Sequence, residues 1–445
     1  MLKSIFTIIL AFSLCTALAQ REMRSYYDQN AEILKEIYYV SPDDPNMIIG
    51  DYKKFHPNGE IATTGQFKEG YKDGTFKEFY INGQLQRVMT YDDGVKKSDV
   101  RIYNDKGITV QKAKFKNGEL SDSLFIYYND GSLRSEGFFE NGKPEGLLVE
   151  YYPNGRLKRE ITYADGQQTG ITKTYYENGQ LWTEGNYKNG IVNGYYNTYH
   201  ANGQLDTSSK MDNGSKTGEF KNYDSEGNLL LVGEYQNGLL NGKNIAYYAD
   251  GSVKHEFTYA NGKLTGTNKD YYRDGSLKEL IEVKTVKEKR QQTNSKYDSL
   301  GNITIKEVYL NDLPHNSWTY YYSDGTTKKT IPYENGKING LTVSYYDNGQ
   351  VASEEPFKFD AKYGVQKEYY RNGQLKTETA FHNDKKHGIY KEYYENGILK
   401  LSGEYVGNRK VKEWRHFDEN GEATTVDFYQ NNKLLKTEPA EDTAN

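Results

Sequence analysis

The chain of 445 residues is 36% hydrophobic and 27% charged, with 57 basic and 62 acidic residues and a formal net charge of −5. A balance this mild and this mixed excludes the clustered basic surface of a nucleic-acid-binding protein, while 14% aromatic residues are too many for a disordered chain. Aliphatic residues are scarce beside 43 Tyr and 43 Gly, so one thick core is excluded as well.

Residues 1–19, MLKSIFTIILAFSLCTALA, combine one Lys, an apolar stretch and a small-x-small ending at Ala17-Leu18-Ala19. That pattern predicts a secretory signal peptide cleaved before Gln20, and hence an exported protein: periplasmic, associated with the outer envelope, or secreted. Cys15 is the only cysteine. Lipid attachment there would want Leu three residues earlier and a small residue just before it, where the chain has Phe12 and Leu14. The mature chain then has no thiol and no disulfide. Residues 20–50 read as a partial, capping repeat, in which YYDQNAEILKE at 26–36 places Ala31 at the turn and SPDDPN at 41–46 forms a longer loop.

From Gly59 a regular array begins. An Asn-Gly or similar turn recurs at Gly59, Gly83, Gly107, Gly131, Gly155, Gly179, Gly203, Gly227, Gly251, Gly275, Gly301, Gly325, Gly349, Gly373, Gly397 and Gly421, in steps of 24 residues except one of 26. A second series, Gly70 to Gly262 and then Asp312, Gly336, Asp360, Asp384, Asn408 and Asn432, falls half a repeat later, and Val286 alone breaks it. Gly, Asn and Asp tolerate a left-handed backbone, so both series mark tight turns. Two turns per 24 residues leave segments of strand length. The expected fold is all-β: an elongated antiparallel meander of about sixteen β-hairpin repeats, about 150 Å from end to end at the usual strand spacing. The repeats occupy 51–283 and 301–432, an insertion within the array occupies 284–300, and 433–445 is a polar C-terminal tail. The basic run KTVKEKR at 284–290 is expected to be a solvated hairpin.

Positions within a repeat are counted here from the origin glycine. Position −4 is aromatic in all sixteen repeats, +2 is aliphatic in thirteen and +8 is aromatic in fourteen. A turn such as Glu177-Asn178-Gly179 would pair Tyr175 with Leu181 and Tyr176 with Gln180. Strand alternation then puts −4, +2 and +8 on one face as three apolar ladders, each cross-strand pair contributing roughly 0.2–1 kcal/mol. The second tyrosine, at −3, points to the other face: Tyr80, Tyr128, Tyr152, Tyr176, Tyr248, Tyr272, Tyr322, Tyr346, Tyr370 and Tyr394. High β-propensity explains such a stripe, and so does a binding surface for something flat or extended.

No catalytic constellation is present in the pattern. The seven histidines are dispersed, and His382 and His387 flank a turn without the Cys or carboxylates of a ligand set, so no metal and no cofactor is expected. Asp-Gly turns such as Asp250-Gly251 read as plain turns. No nucleophile turn and no phosphate cradle appears.

The unit YYENGQLWTEGNYKNGIVNG at 175–194 resembles the bacterial variant of the MORN repeat, grouped in the YwqK-type antitoxins, over roughly residues 50–432. The resemblance implies a hairpin ribbon serving protein–protein or membrane-associated scaffolding, without enzyme activity. The expectation is an exported, non-enzymatic scaffold whose partner is a protein or a cell-envelope component. Nucleic acid is not expected as a partner, and the mature chain is expected to have no transmembrane span. Two alternatives stand beside it: a glycan-binding or wall-anchoring module using the tyrosine stripe, and an antitoxin or immunity-like binding protein.

Overall fold

The computed structural model describes residues 20–440, so the expected leader and Cys15 lie outside it. Every regular element among the described residues is a β-strand. The chain divides into two compact units, Met1–Ser215 and Lys216–Asn445. Within the first, strands from Arg21–Tyr26 onward pair antiparallel with the strands next along the chain, Leu157–Ala164 pairing with both Gln167–Gln168 and Gly170–Tyr175. The second repeats this meander up to Lys433–Pro439. That last strand covers most of the stretch expected as a polar tail; its backbone pairs with Ala423–Gln430 while its side chains stay exposed.

Both turn series form as the sequence predicts. At the origins the Gly N–H donates to the carbonyl three residues earlier, as Gly179 does to Tyr176 at 2.9 Å, and the Tyr176 N–H donates to Gln180 at 2.8 Å. Tyr175 pairs with Leu181. At the second turn two successive residues take positive φ, 51° at Asn189 and 78° at Gly190, the two-residue geometry that matches strand twist. At Asp360, Asp384, Asn408 and Asn432 the side chain of the second residue accepts a backbone N–H 22 residues earlier, as Asp360 does from Ile338 and Asn408 from Lys386, both at 2.7 Å, whereas Asp312 accepts from the Arg290 guanidinium.

One expectation about the faces is corrected. The register slips by one residue between the Thr174–Thr183 and Tyr175–Leu181 pairs, leaving Trp182 unpaired. The same slip recurs after the other origins. A one-residue bulge inverts strand parity, so +8 lies on the face opposite −4 and +2. The aromatic face is instead built from −7, −5, +4, +6 and +8. In the first unit it holds the buried cluster Phe76, Met89, Tyr91, Val100 and Ala113.

The second hairpin is bulged too. Gly185 pairs with Tyr196 but Tyr187 pairs with Val192, so one residue faces three, and the extra turn needs Gly194 at φ 117°. The insertion removes this bulge. Strand Leu277–Val286 has 10 residues where its counterparts have 8, and it pairs without a slip from Glu279–Lys296 to Val286–Lys289. The two extra residues supply partners for those that bulge elsewhere, and the turn moves to Lys287-Glu288, where both residues take positive φ.

Candidate binding surface

All ten stripe tyrosines have one job in common. Each hydroxyl donates to the backbone carbonyl of position −4 in the next repeat, at 2.7–2.9 Å. Tyr27 of the capping repeat bonds the Phe55 carbonyl at 2.8 Å, and the His56 imidazole contacts the Phe79 carbonyl at 2.9 Å. A side chain at +3 lies over many of these rings, as Lys158 does over Tyr152 at 5.8 Å and Trp182 over Tyr176 at 5.6 Å. The structure therefore places the stripe as a row of struts between successive hairpins, with its phenol donors engaged inside the fold.

On the aromatic face, rings at −7 and +8 alternate edge-to-face. Tyr52, Phe67, Phe76 and Tyr91 follow one another at 5.4, 5.5 and 5.4 Å, and Tyr405 meets Trp414 at 4.9 Å. Lysines at −11 cap these rings: Lys72 lies 4.8 Å from Phe76 and Lys410 lies 4.2 Å from Trp414. Position −7 also faces +6 of the preceding repeat, and the two match in size. A Cβ added at Gly65, Gly185 or Gly403 would come within 2.4, 2.5 or 2.2 Å of the rings of Phe76, Tyr196 and Trp414. Ala113, in contrast, pairs with Leu124. At one polar −7 position the side chain serves the bulge: buried Asn268 accepts from the Thr258 N–H at 2.6 Å and donates to the Thr265 carbonyl at 3.1 Å. The sequence reading missed the −7/+6 match because neither column is uniform alone; the signal lies in their joint variation.

The opposite face is a polar lattice. Tyrosines at −4 donate to Glu at +5 of the preceding repeat: Tyr151 to Glu136 at 2.6 Å, Tyr369 to Glu354 at 3.0 Å, Tyr393 to Glu378 at 3.2 Å. The Glu136 hydrogen bond, with burial, pushes the Tyr151 phenol up to about 12. Burial, then the Glu354 hydrogen bond, takes Tyr369 up to about 12 as well. Beside them Glu354, Lys367, Glu378 and Lys391 pair in succession across four strands, alternating in sign.

This face also exposes an apolar row. Leu341 pairs with Pro356 and Val365 with Ala380, while Ile389 continues the row on the next strand. Leu341, Val365 and Ile389, all at −8, are 45%, 47% and 54% exposed. The first unit repeats the feature with Leu147, Ile171 and Tyr195. Exposed rows of this kind mark interaction surfaces more often than scattered single residues do.

The remaining candidates resolve into local structure. His382 and His387 have ring centroids 6.2 Å apart, and His382 lies 4.9 Å from Tyr363. Among the described residues Asp73, Asp92 and Asp93 bring three carboxylates within 4.8 Å of one another. Lys97 hydrogen-bonds Asp92 and holds its carboxyl below the usual range, and Lys68 lies 3.8 Å from Asp93. The Asp250 carboxylate takes the hydroxyl and N–H of Ser252, which hold it at about 2. No helix among the described residues is long and apolar enough to cross a membrane.

The family comparison agrees with this architecture. The pattern of the MORN repeat variant matches residues 49–69, 72–93, 144–165, 168–189, 216–237, 314–335, 338–359, 362–383 and 386–406. Among curated proteins nothing matches the chain. A crystal structure of TcdB2-TccC3-TEV is similar at 11% identity over 92% of this chain and 27% of that one, with a TM-score of 0.15. A Tc holotoxin pore of Photorhabdus luminescens is similar at 12% identity over 93% of this chain and 28% of that one, with a TM-score of 0.14. The chain thus spans little more than a quarter of those chains.

Proposed function

We propose that this MORN-repeat protein is an exported, non-enzymatic scaffold that binds a protein partner through the face carrying the −8 row. The observation that carries the reading is the apolar line on adjacent strands in which Leu341, Val365 and Ile389 are exposed and the intervening Pro356 and Ala380 half-buried. The neighbouring Glu354, Lys367, Glu378 and Lys391 alternate in sign. Alternating charges cancel at a distance and give no field for a phosphate-rich surface, but they suit the mixed polar rim of a protein interface. Glycan binding by the tyrosine stripe would draw on hydroxyls that already donate within the chain, so the observations favour a protein. Export is supported by the leader pattern at 1–19. An immunity-like role, in the manner of the YwqK-type antitoxins, is a narrower form of the same reading, in which the partner is a toxin.

The test is crosslinking capture from an envelope fraction with the wild-type chain and with Leu341→Lys/Val365→Lys/Ile389→Lys. All three side chains are exposed, so the variant keeps the wild-type circular dichroism. A protein retained by the wild type and lost from the variant supports the reading. Equal retention by both, or none by the wild type, sinks it.

A further inference from the structure

Five repeats carry Gly at +6, and in one of them the side chain over it is a leucine rather than a ring or an amide. Gly65, Gly185 and Gly403 lie under rings, and Gly233 lies under the Asn244 amide with a Cβ distance of 2.5 Å. Gly137 faces Leu148, whose nearest atom is 3.3 Å from the Cβ position. Beside this smaller cover the aromatic face opens into a cavity of about 350 Å³. Leu124, Ile126, Phe139 and Leu148 wall it, with Arg134 and Lys158 at its edge.

The charges at this opening are unequal in their commitments. Glu150 accepts from Arg159 at 3.2 Å, and Glu136 is engaged toward the opposite face by the Tyr151 hydroxyl at 2.6 Å. Arg134 and Lys158 instead lie over rings, 5.9 Å from Tyr128 and 5.8 Å from Tyr152, and no carboxylate among the described residues bonds them. The uncommitted charge at the edge is positive.

We propose that this cavity receives an aromatic side chain flanked by acidic residues, presented by a partner protein. The occupant follows from the chain itself, which fills the equivalent site with Phe76, Tyr196 or Trp414. The flanking acids follow from complementarity to Arg134 and Lys158. The inference rests on the scaffold reading, but it uses the face opposite the −8 row.

The experiment is fluorescence anisotropy of three labelled synthetic peptides, Asp-Glu-Trp-Glu-Asp, Asp-Glu-Leu-Glu-Asp and Lys-Lys-Trp-Lys-Lys, titrated with the full chain. The acidic Trp peptide is expected to bind about tenfold or more tightly than either of the others. Leu148→Trp copies the arrangement of Trp414 over Gly403, so it closes the cavity from within. It is expected to keep the wild-type melting temperature or raise it, and to lose the peptide. Arg134→Glu/Lys158→Glu tests the edge without touching the cavity floor, and is expected to reverse the preference between acidic and basic Trp peptides. The −8 row variant is expected to bind the acidic Trp peptide as the wild type does, which keeps the two proposals separable. Undetectable binding of that peptide, equal affinity for Trp and Leu, or an undiminished affinity in folded Leu148→Trp overturns the proposal.

Discussion

At the scale of single residues, stability is set by pairs that reach across to a neighbouring repeat. Gly403→Ala would drive a methyl group into the ring of Trp414, which is 1% exposed and has nowhere to move. Urea unfolding is expected to show a loss of about 1–3 kcal/mol. Adding Trp414→Leu recreates the Ala113–Leu124 pairing and is expected to restore part of it. Tyr176→Phe removes a strut bond at 2.8 Å and leaves the Tyr199 carbonyl without that donor, for a loss of about 1 kcal/mol. Tyr151 and Tyr369 have folded pKa values raised to about 12. The stabilisation they give is complete below the ordinary phenol value near 10 and is lost as pH rises through about 12. Tyrosinate absorbance is expected to show late-titrating phenols, with one fewer in Tyr151→Phe. The doubled tyrosines were legible as a row from their spacing. That each is tied to the next repeat was not, because the acceptor is a backbone carbonyl and leaves no mark in residue type.

At the scale of elements, the hairpins and both turn series were legible because only a few residues accept φ > 0, and they recur at fixed spacing. The bulges were not. Trp182, the unpaired residue in its hairpin, looks like any other strand residue, yet its extra place in the chain sends +8 to the other face. A clue to the second bulge is the residue at −9, mostly Gly, whose positive φ is also taken by Asp122, Asn316 and Lys412, while Gln292 stands there in the straight hairpin of the insertion. This yields a prediction. Deleting Lys284 and Thr285 returns the repeat to the common length and forces Gln292 into the left-handed backbone. The deletion combined with Gln292→Gly is expected to be more stable than the deletion alone by about 1 kcal/mol, measured by thermal unfolding.

At the scale of the whole molecule, every strand pairing within each unit is local in sequence, so the fold tolerates the loss of a complete repeat. Excising residues 180–203, one full period, is expected to leave a folded β protein by circular dichroism, because the Tyr176 hydroxyl then meets the next −4 carbonyl. Excising 180–191, half a period, brings two first strands together and is expected to aggregate on expression. The strut has a further consequence for descent. A hydroxyl that reaches for a main-chain oxygen asks nothing of the amino acid bearing it, so a duplicated or recombined copy docks without mutual adjustment of sequence. Gly-for-ring complementarity at the junction does impose a condition. Viable shuffling is restricted to copies whose small and large partners arrive together, a grammar that should be readable in the order of the repeats themselves.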